Sequence, residues 1–599
     1  MSSPVRTSLV SATLLVASAL AATARADLTV FLGPEGGVGD VVVFDESALL
    51  PPAPVAGLAG VQLLGLDAIG RTRLETFLSG RPRQREVVPG VTRVELPDGQ
   101  GSIYRFRRAG VGTSADFGLF HVDASGDARV LVERPGTGVL GDSDPFLARI
   151  AVAPAADGIL VATRFEAGGD VLEIDLVSGA VVDRTASVPP LDVAGSGLGL
   201  RADWGVVVAA DGPRRFDRTP GAGAVPVALP GAPTWFGGEI VFSEDGLVAA
   251  TIAGAAPTAS HPFVLRASGP ALRLDDTPRH LSPAGFLPRD VDGPYLALSA
   301  DGSVCVWRTE GALARDAWTA SVAPVPSPPQ TVTADPQFVD TLDEVGLAGA
   351  FAIASQRAIV LAVGERADPL LGGVEGLDFY LVETPAGGGA PVITNITLTS
   401  GDTAQPFTKG AIDPTRGAYR IPGEPRLLVR DDAGSGGRMS VVDLAAATVT
   451  PIVPGAEVVR SIERHGSRYL MTIERDLAGP LMHDLVIADV ATLSSTTLAS
   501  VAATDGDFDR LTVRADGWAG VGLRIGPDEF AARVHVPTGF GELLVPFGFD
   551  LGPTLAWTAG GRLALTGALP GGPSIPIGWG LGVPWYAVPI VPQDCFVLP

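Results

Sequence analysis

Residues 149–185, with the sequence RIAVAPAADGILVATRFEAGGDVLEIDLVSGAVVDRT, contain the unit from which much of the chain is assembled. Apolar and β-branched residues separated by turn residues predict four strands, at 150–153, 159–165, 171–176 and 180–183. Leu172, Ile174 and Leu176 alternate with acidic residues, so one face of the third strand is apolar. The stretch therefore predicts a four-stranded antiparallel sheet.

Weaker copies of this unit recur almost to the C-terminus. Turns of the type Asp-Gly or Gly-Gly mark them at 98–99, 157–158, 245–246, 301–302, 516–517 and 560–561. When the degenerate copies between these turns are counted, neighbouring copies lie roughly 40 to 60 residues apart, which is the length of one blade of a β-propeller, in which four-stranded sheets surround an axis. We therefore predict an all-β propeller with one ring of seven or eight blades. Two smaller tandem propellers are the alternative.

Aspartates end the third strand of several copies, at Asp123, Asp175, Asp443 and Asp489. A short acceptor side chain at this position can bond to the backbone just ahead and start the hairpin turn. An Asp-Gly turn, an apolar strand and a strand ending in Ile-Asp or Val-Asp resemble the repeats of the YVTN and TolB-like bacterial propellers and, more distantly, WD40 repeats. This resemblance covers most of 93–566, and it implies the fold and very little about a ligand.

The N-terminus is typical of an exported protein. Arg6, an apolar core at 9–22 and an Ala-Arg-Ala site at 24–26 predict a signal peptide over 1–26. We expect an irregular N-terminal β segment or first blade at 27–92, and propeller repeats at 93–599. The mature protein is then periplasmic, on the cell surface or extracellular.

No transmembrane segment is predicted in the mature chain. The charge-free stretch 563–593 contains six prolines, which a lipid-exposed helix could not accommodate because each removes a backbone donor. We expect buried closing strands there instead.

Composition limits the classes of partner. The chain has 46% hydrophobic residues, 76 glycines and 51 prolines, enough for an apolar core with many turns. Its net charge of −23 argues against binding nucleic acid, whose phosphates require a basic surface, and against docking on an anionic membrane. A protein or glycan ligand is compatible with this charge, and the oligomeric state is left open.

A search for catalytic motifs gives no strong candidate. The pattern Gly-x-Ser-x-Gly is absent, since alanine replaces the first glycine before both Ser196 and Ser435, and the short Gly-Asp-Ser motif at Ser143 is compatible with chance. The six histidines are far apart, which predicts isolated strand or turn residues. His465 with Asp484 or Glu463 is the first choice for an acid–base pair.

The two cysteines are Cys305 and Cys595. A disulfide between them is one alternative, because the expected compartment is oxidising. If the C-terminal strand closes a single ring on the first blade, however, the two thiols lie across the ring and cannot bond. We expect free thiols.

One acidic cluster could hold a cation. Asp505, Asp507 and Asp509 alternate as in the first half of a calcium loop, and Asp516 falls at the twelfth position of such a loop. Arg510 occupies the position where that loop requires glycine. The cluster therefore gives either a Ca²⁺ site or a solvated acidic loop that enters an innermost strand, and the second interpretation is favoured.

The absence of a nucleophile elbow and of histidine motifs with metal-ligand spacing favours a non-catalytic function. We predict a binding or scaffolding module at the cell envelope. One alternative is a propeller enzyme, a lactonase-like hydrolase or lyase, with its site in the central channel. Another is a structural surface protein.

Overall fold

The computed structural model describes most of the chain between residues 27 and 598. The described ranges are 27–45, 53–68, 83–109, 115–136, 146–155, 157–163, 171–184, 197–209, 211–219, 222–243, 245–256, 258–279, 296–310, 315–323, 326–332, 347–353, 358–364, 376–385, 388–395, 407–408, 418–420, 425–431, 438–443, 445–446, 448–475, 479–526, 528–544, 550–557, 561, 563–568, 574–580, 583–586 and 595–598. The predicted signal peptide lies outside them.

The first sheet combines strands from both ends of the chain. Its members are β1 (Asp27–Leu32), β2 (Val38–Asp45), β3 (Ala53–Pro54), β4 (Val61–Leu64), β6 (Arg83–Val88), β7 (Val91–Glu95), β8 (Ser102–Ala109), β9 (Ala115–Val122), β10 (Ala128–Pro135) and β48 (Cys595–Val597). A short 3₁₀ turn, Pro97–Gly99, connects β7 to β8.

Four sheets follow in chain order. They comprise β11 (Phe146–Val152), β12 (Gly158–Thr163), β13 (Val171–Asp175) and β14 (Val181–Asp183), with β5 (Asp67–Ala68) parallel to β11; β15 (Leu198–Leu200), β16 (Trp204–Ala209), β17 (Gly212–Asp217) and β18 (Val225–Pro226); β19 (Trp235–Phe242), β20 (Val248–Ala256), β21 (Ala259–Arg266) and β22 (Leu272–Arg273); and β23 (Leu296–Leu298), β24 (Val304–Glu310), β25 (Arg315–Ser321) and β26 (Gln330–Thr331).

Five more sheets repeat the pattern to the C-terminal region. They comprise β27 (Leu347–Ile353), β28 (Ala358–Gly364), β29 (Gly376–Glu383) and β30 (Val392–Asn395), with β31 (Phe407–Thr408) beside β29; β32 (Ala418–Arg420), β33 (Arg426–Asp431), β34 (Arg438–Asp443) and β35 (Thr448–Pro454); β36 (Ala456–His465), β37 (Arg468–Arg475), β38 (Met482–Asp489) and β39 (Ser494–Ala502); β40 (Gly506–Val513), β41 (Trp518–Ile525), β42 (Asp528–His535) and β43 (Phe540–Leu544); and β44 (Asp550–Trp557), β45 (Leu563–Ala568), β46 (Ser574–Gly580) and β47 (Val583–Tyr586).

These sheets confirm the predicted fold class, an all-β propeller of four-stranded antiparallel blades. In each of the nine described sheets that follow the first sheet, consecutive strands pair in chain order. The stretch 149–185 contains strands β12, β13 and β14 and most of β11, close to the predicted boundaries. The number of blades in a ring stays a prediction.

Successive sheets pack face to face, and their first strands are neighbours. Strand β11 contacts β15, β15 contacts β19, β19 contacts β23, and β23 contacts β27. In the same way, β36 contacts β40, and β40 contacts β44. Apolar clusters fill the space between sheets; one joins Val248, Ile252 and Val264 to Trp307 of the next sheet. The first strands therefore lie nearest the axis, as in a propeller.

The chain ends meet in the first sheet. Strand β1 pairs antiparallel with β48, with Phe31 opposite Phe596 and Leu32 opposite Cys595. The last four-stranded sheet contacts β6 and β48 of the same first sheet. Cys305 is a free, fully buried thiol in β24, as the sequence predicts.

The turn chemistry predicted for the strand-ending aspartates is confirmed. Oδ1 of Asp123 accepts from the amides of Ser125 and Asp127, at 2.8 and 3.1 Å. Oδ1 of Asp175 accepts from those of Val177 and Ser178, at 3.0 and 2.6 Å. Asp443 and Asp489 form the same bonds to the second and third amides ahead of them.

Each blade thus has two ends, which we name by their connections. The hairpin end carries the turns between first and second strands and between third and fourth strands, including the strand-ending aspartates. The crossover end carries the loops between second and third strands and the links to the next sheet. This distinction decides which residues can meet.

The part of 563–593 that the structure describes forms strands, as predicted. Its described residues build β45, β46 and β47, and Leu563 and Ala564 of β45 are buried. Within the described ranges, no helix has the length and apolar character required to cross a membrane.

Candidate functional site

A set of charged residues lies at the crossover end, between the sheet β36–β39 and the sheet β40–β43. We call it the axial ionic site, and it consists of Arg460, Glu474, His483, Asp507 and Arg524. Both first strands, β36 and β40, contribute to it, which places it beside the axis.

Local irregularity in a first strand positions Arg460. The register of β36 against β37 shifts between Val459 and Ser461, so Arg460 is the extra residue of a β-bulge. A bulge redirects a side chain out of the regular alternation. Similar shifts occur in β11, β19, β27, β40 and β44, which are also first strands of their sheets.

Two carboxylates hold the arginines. Arg460 donates from Nε to Oε1 of Glu474 at 2.6 Å and approaches Oδ2 of Asp507 at 3.4 Å. Arg524 donates to the same Asp507 oxygen at 2.8 Å. The side chains of Arg460 and Arg524 remain 35% and 53% exposed, while that of Asp507 is 12% exposed. The guanidinium groups are therefore oriented by carboxylates and still open to solvent.

His483 is the most deeply buried member of the site, and its backbone register places it opposite Glu474. Its Nδ1 donates to the carbonyl oxygen of Gly506 at 2.8 Å, because a carbonyl can only accept. In the neutral ring this leaves the lone pair on Nε2. That atom is buried, has no hydrogen-bond partner among the described residues, and lies 3.9 Å from Oε1 of Glu474.

A second ion pair lies in the same sheet but on the other face. Asp484 is fully buried and its Oδ2 contacts Nε of Arg475 at 2.5 Å. Neighbouring residues of a strand point to opposite faces, so Asp484 and His483 are directed away from each other. Asp484 is therefore not part of the axial ionic site.

The site offers hydrogen-bond donors and acceptors within a small region. Two guanidinium groups donate, two carboxylates accept, and Nε2 of His483 accepts when the ring is neutral. Among the described residues, no group of three or more His, Cys, Asp or Glu side chains is arranged to hold a metal ion.

The predicted acidic cluster lies partly in this site. Asp505 precedes β40 and is exposed, and Asp507 is nine-tenths buried and bound by both arginines. The side chain of Asp509 lies outside the described part, although its backbone is the bulged residue between Phe508 and Arg510. The Ca²⁺ site of Asp505, Asp507 and Asp509 stays a prediction.

Of the two proposed partners of His465, Asp484 is not brought to it. His465 ends β36 opposite Arg468 at the hairpin end, whereas Asp484 pairs with Ile473, five positions further along β37. At about 3.3 Å per residue, this separates the two by roughly 16 Å. Glu463 is buried on the same strand, two residues before His465.

The other described histidines lie in strands, as predicted. His121 donates to the carbonyl of Gln100 at 3.1 Å and His261 to that of Asp275 at 2.8 Å, while His535 ends β42. Burial is the main cause that lowers the pKa of His121 below its ordinary value. His280, Ser143, Ser196 and Ser435 lie outside the described residues.

A comparable ionic cluster elsewhere belongs to the scaffold. Glu173 receives Nε of both Arg184 and Arg218 at 2.7 Å, and Arg218 also reaches Asp157 at 3.0 Å. Arg184 is 2% exposed and donates to backbone carbonyls of Thr219 and neighbouring residues. Arg184 thus joins adjacent sheets and is closed to solvent, whereas the arginines of the axial ionic site are exposed.

Sequence inspection did not find the axial ionic site because its members are spread over 460–524. Glu474 and His483 become neighbours only through the pairing of β37 with β38. A bulge in β36 then adds Arg460. The available signal was the acidic run containing Asp507, which marks the start of a first strand.

No protein-family model matches the chain, and no curated protein matches it. Among solved structures, a puromycin hydrolase is 16% identical over 78% of this chain and 61% of its own, with a TM-score of 0.32. TolB from Acinetobacter baumannii is 12% identical over 49% and 61%, with a TM-score of 0.23. Dipeptidyl peptidase 4 from Porphyromonas gingivalis is 10% identical over 82% and 65%, with a TM-score of 0.39.

The chain thus spans less than two thirds of the length of each of these structures. Sequence identities of 10–16% do not transfer a function, because one fold can host many unrelated functions. The fold assignment rests on the sheets themselves.

Proposed function

We propose that the chain is an exported, non-catalytic β-propeller that acts as a binding module at the cell envelope, with its ligand at the axial ionic site. The observation that supports this proposal is that Arg460 is both held in place and exposed to solvent. Its guanidinium is fixed by Glu474 and Asp507 on the axial side of the fold, yet it remains one-third exposed. Fixed, solvent-accessible donors reduce the entropy that binding costs.

The chemistry of the site favours a ligand with both donors and acceptors. Arg460 and Arg524 can donate further hydrogen bonds, and Glu474, Asp507 and Nε2 of His483 can accept them. Their formal charges cancel when His483 is neutral, so no strongly charged ligand is favoured. A polar peptide segment or a glycan meets these requirements.

Export is the second part of the proposal, and it rests on the sequence of residues 1–26. Expression in a bacterial host followed by fractionation tests it. We expect a processed protein in the periplasm or medium, and a cytoplasmic, unprocessed product would contradict export without affecting the binding proposal.

Screening on peptide and glycan arrays tests binding. We expect hits that weaken at least tenfold in Arg460→Ala, and a matched control is Arg215→Ala. Arg215 also bridges strands of neighbouring sheets, through the carbonyls of Arg266 and Gly269, but lies away from the axial ionic site. Equal loss in both variants would contradict the site assignment.

A second candidate is an enzyme that uses His483 as an acid–base group. The unpartnered, buried Nε2 favours it, because such an atom can exchange a proton with a ligand. Assays with lactone, ester and glycan substrates distinguish the two. Turnover abolished by His483→Gln would replace the binding proposal with a lactonase-like hydrolase or lyase. Ordered self-assembly without ligand binding would instead indicate a structural surface protein.

A further inference from the structure

A row of aromatic rings crosses the sheet β40–β43 at the hairpin end. Trp518, His535 and Phe540 are directly opposite one another in β41, β42 and β43, and therefore share one face of the sheet. We call them the aromatic strip. The strip belongs neither to the apolar core cluster of this blade nor to the axial ionic site.

The rings of the strip are held against one another. Trp518 and His535 have centroids 5.1 Å apart, and Phe540 meets Trp518 edge-on at 6.4 Å and 89°. Phe540 is nevertheless 57% exposed, the largest exposure of any aromatic residue in the described part of the chain. The ring of Phe540 is therefore presented to solvent in a fixed orientation.

Planar polar groups border the exposed ring. Arg533 lies two residues before His535 in β42, so it is on the same face of the sheet. It is opposite Glu542 and donates to Oε2 of that residue at 3.0 Å. The Arg533 guanidinium stacks over Trp518 at 5.0 Å, and its buried Nε has no hydrogen-bond partner among the described residues. The hydroxyl of Thr538, bonded to Nδ1 of His535 at 2.8 Å, borders the other side.

We propose that the aromatic strip binds the sugar rings of a neutral oligosaccharide. The apolar face of a pyranose packs on a flat aromatic ring, and its hydroxyls both donate and accept. Phe540 supplies the ring, and the Arg533–Glu542 pair supplies a donor beside an acceptor.

The charge of the chain selects the class of glycan. At a net charge of −23, polyanionic sugars are repelled, whereas a neutral chain is unaffected. A protein partner would be expected to use a broader apolar patch, but the strip is one ring wide and its flanks are charged or hydroxylated. These features favour the neutral oligosaccharide over a protein contact.

This site goes beyond the proposed function and is independent of it. Trp518 begins β41 at the hairpin end, while Arg524 of the axial ionic site lies near the end of that strand at the crossover end. The two sites can therefore be lost separately. Arg460→Ala should leave oligosaccharide binding at the strip unchanged.

Titration calorimetry of the mature chain with cellohexaose, maltohexaose, mannohexaose and chitohexaose tests the proposal. We expect at least one to bind, with affinity reduced tenfold or more in Phe540→Ala and largely kept in Phe540→Trp. Leu543→Ala is the matched control, because Leu543 is 49% exposed on the same strand and faces the opposite side. Glu542→Gln should weaken binding without affecting the fold.

Three results would overturn the proposal. One is failure of every neutral hexasaccharide to bind at millimolar concentration. Another is equal loss in Phe540→Ala and Leu543→Ala. The third is a change of self-association, measured by sedimentation, in Phe540→Ala with no change in sugar binding, which would make the strip a protein contact.

Discussion

Arg468 and Asp489 form an ion pair across two strands of one blade, and the same guanidinium reaches into the next blade. Nε of Arg468 donates to Oδ2 of Asp489 at 2.9 Å, while its Nη1 donates to the carbonyl oxygens of Val536 and Pro537. Arg426 and Asp443 repeat the arrangement one blade earlier, with donation to the carbonyls of residues 490 and 491. Asp443 and Asp489 thus each organise their own turn through Oδ1 and orient an inter-blade arginine through Oδ2.

We predict that Arg468→Ala lowers the free energy of unfolding by about 1–2 kcal/mol. Hydrogen bonds to charged groups contribute roughly 1.5–3 kcal/mol, and the one-third exposure of Arg468 reduces this by solvent screening. Denaturant unfolding measures the change. Arg266→Ala, which truncates an exposed arginine of β21, serves as control and should change stability by less than about 0.5 kcal/mol. Equal effects would show that Arg468 does not join the blades.

Acid should destabilise the protein through the strand-ending aspartates. The pKa of Asp489 lies below its ordinary value because Arg468 and the amides of Ala491 and Thr492 outweigh burial, which acts in the opposite direction. The pKa of Asp175 is lowered chiefly by the amide of Ser178. A carboxyl with a lower pKa in the folded state binds protons preferentially in the unfolded state.

We therefore expect the contribution of these aspartates to the free energy of unfolding to be steady from pH 7 to about pH 5 and to fall as the pH drops below about 4. His121, whose pKa is lowered by burial, adds a separate decline that begins below about pH 6.5. Asp489→Asn should reduce stability at pH 7 and flatten the decline below pH 4, because one titrating group is removed. Denaturant titrations at several pH values measure both effects. An unchanged acid slope in Asp489→Asn would contradict the assignment.

The fold was predictable because its determinants are local. Alternation in β13, the Asp-Gly turns and the strand-ending aspartates act within a few residues, so each can be recognised in one copy and checked in the next. The inter-blade role of Arg468 was not predictable. It depends on which carbonyls of the following blade lie beside it, and no local pattern encodes that distance.

The axial ionic site was even less accessible from sequence. Cross-strand pairing brings Glu474 to His483, but a bulge decides whether Arg460 joins them. Bulges depend on the packing of whole sheets, so their positions cannot be inferred from alternation alone. The sequence did locate Asp507, whose acidic run drew attention, but its arginine partners were not recognisable.

Calcium should leave the thermal stability unchanged. A calcium ion requires six to eight oxygen ligands, but Oδ2 of Asp507 is already bound by Arg524 at 2.8 Å with Arg460 nearby. We expect the same Tm in calcium and in chelator by differential scanning fluorimetry. An increase above about 2 °C that disappears in Asp505→Asn would establish the predicted calcium site instead.

Gly101 should be intolerant of any side chain. Its φ is 106°, and an added Cβ would strike the carbonyl oxygen of Val122 and lie 2.7 Å from Cα of Asp123. Gly269 has a φ of 86° with open space around the same position, so Gly269→Ala isolates the conformational cost, about 1 kcal/mol. We expect Gly101→Ala to cost at least twice as much in denaturant unfolding. Similar costs would mean that the backbone at Gly101 relaxes freely.

Closure through β1 and β48 should contribute measurably to stability. Phe596 is 3% exposed, and its ring lies 4.9 Å from that of Phe31, which is 1% exposed. Phe596→Ala removes this packing from the strand pair that joins the chain ends, so we expect a loss of about 3–5 kcal/mol in the free energy of unfolding. Phe540→Ala truncates an exposed ring and should cost far less. If both variants unfold at the same denaturant concentration as the parent, β48 does not hold the array closed.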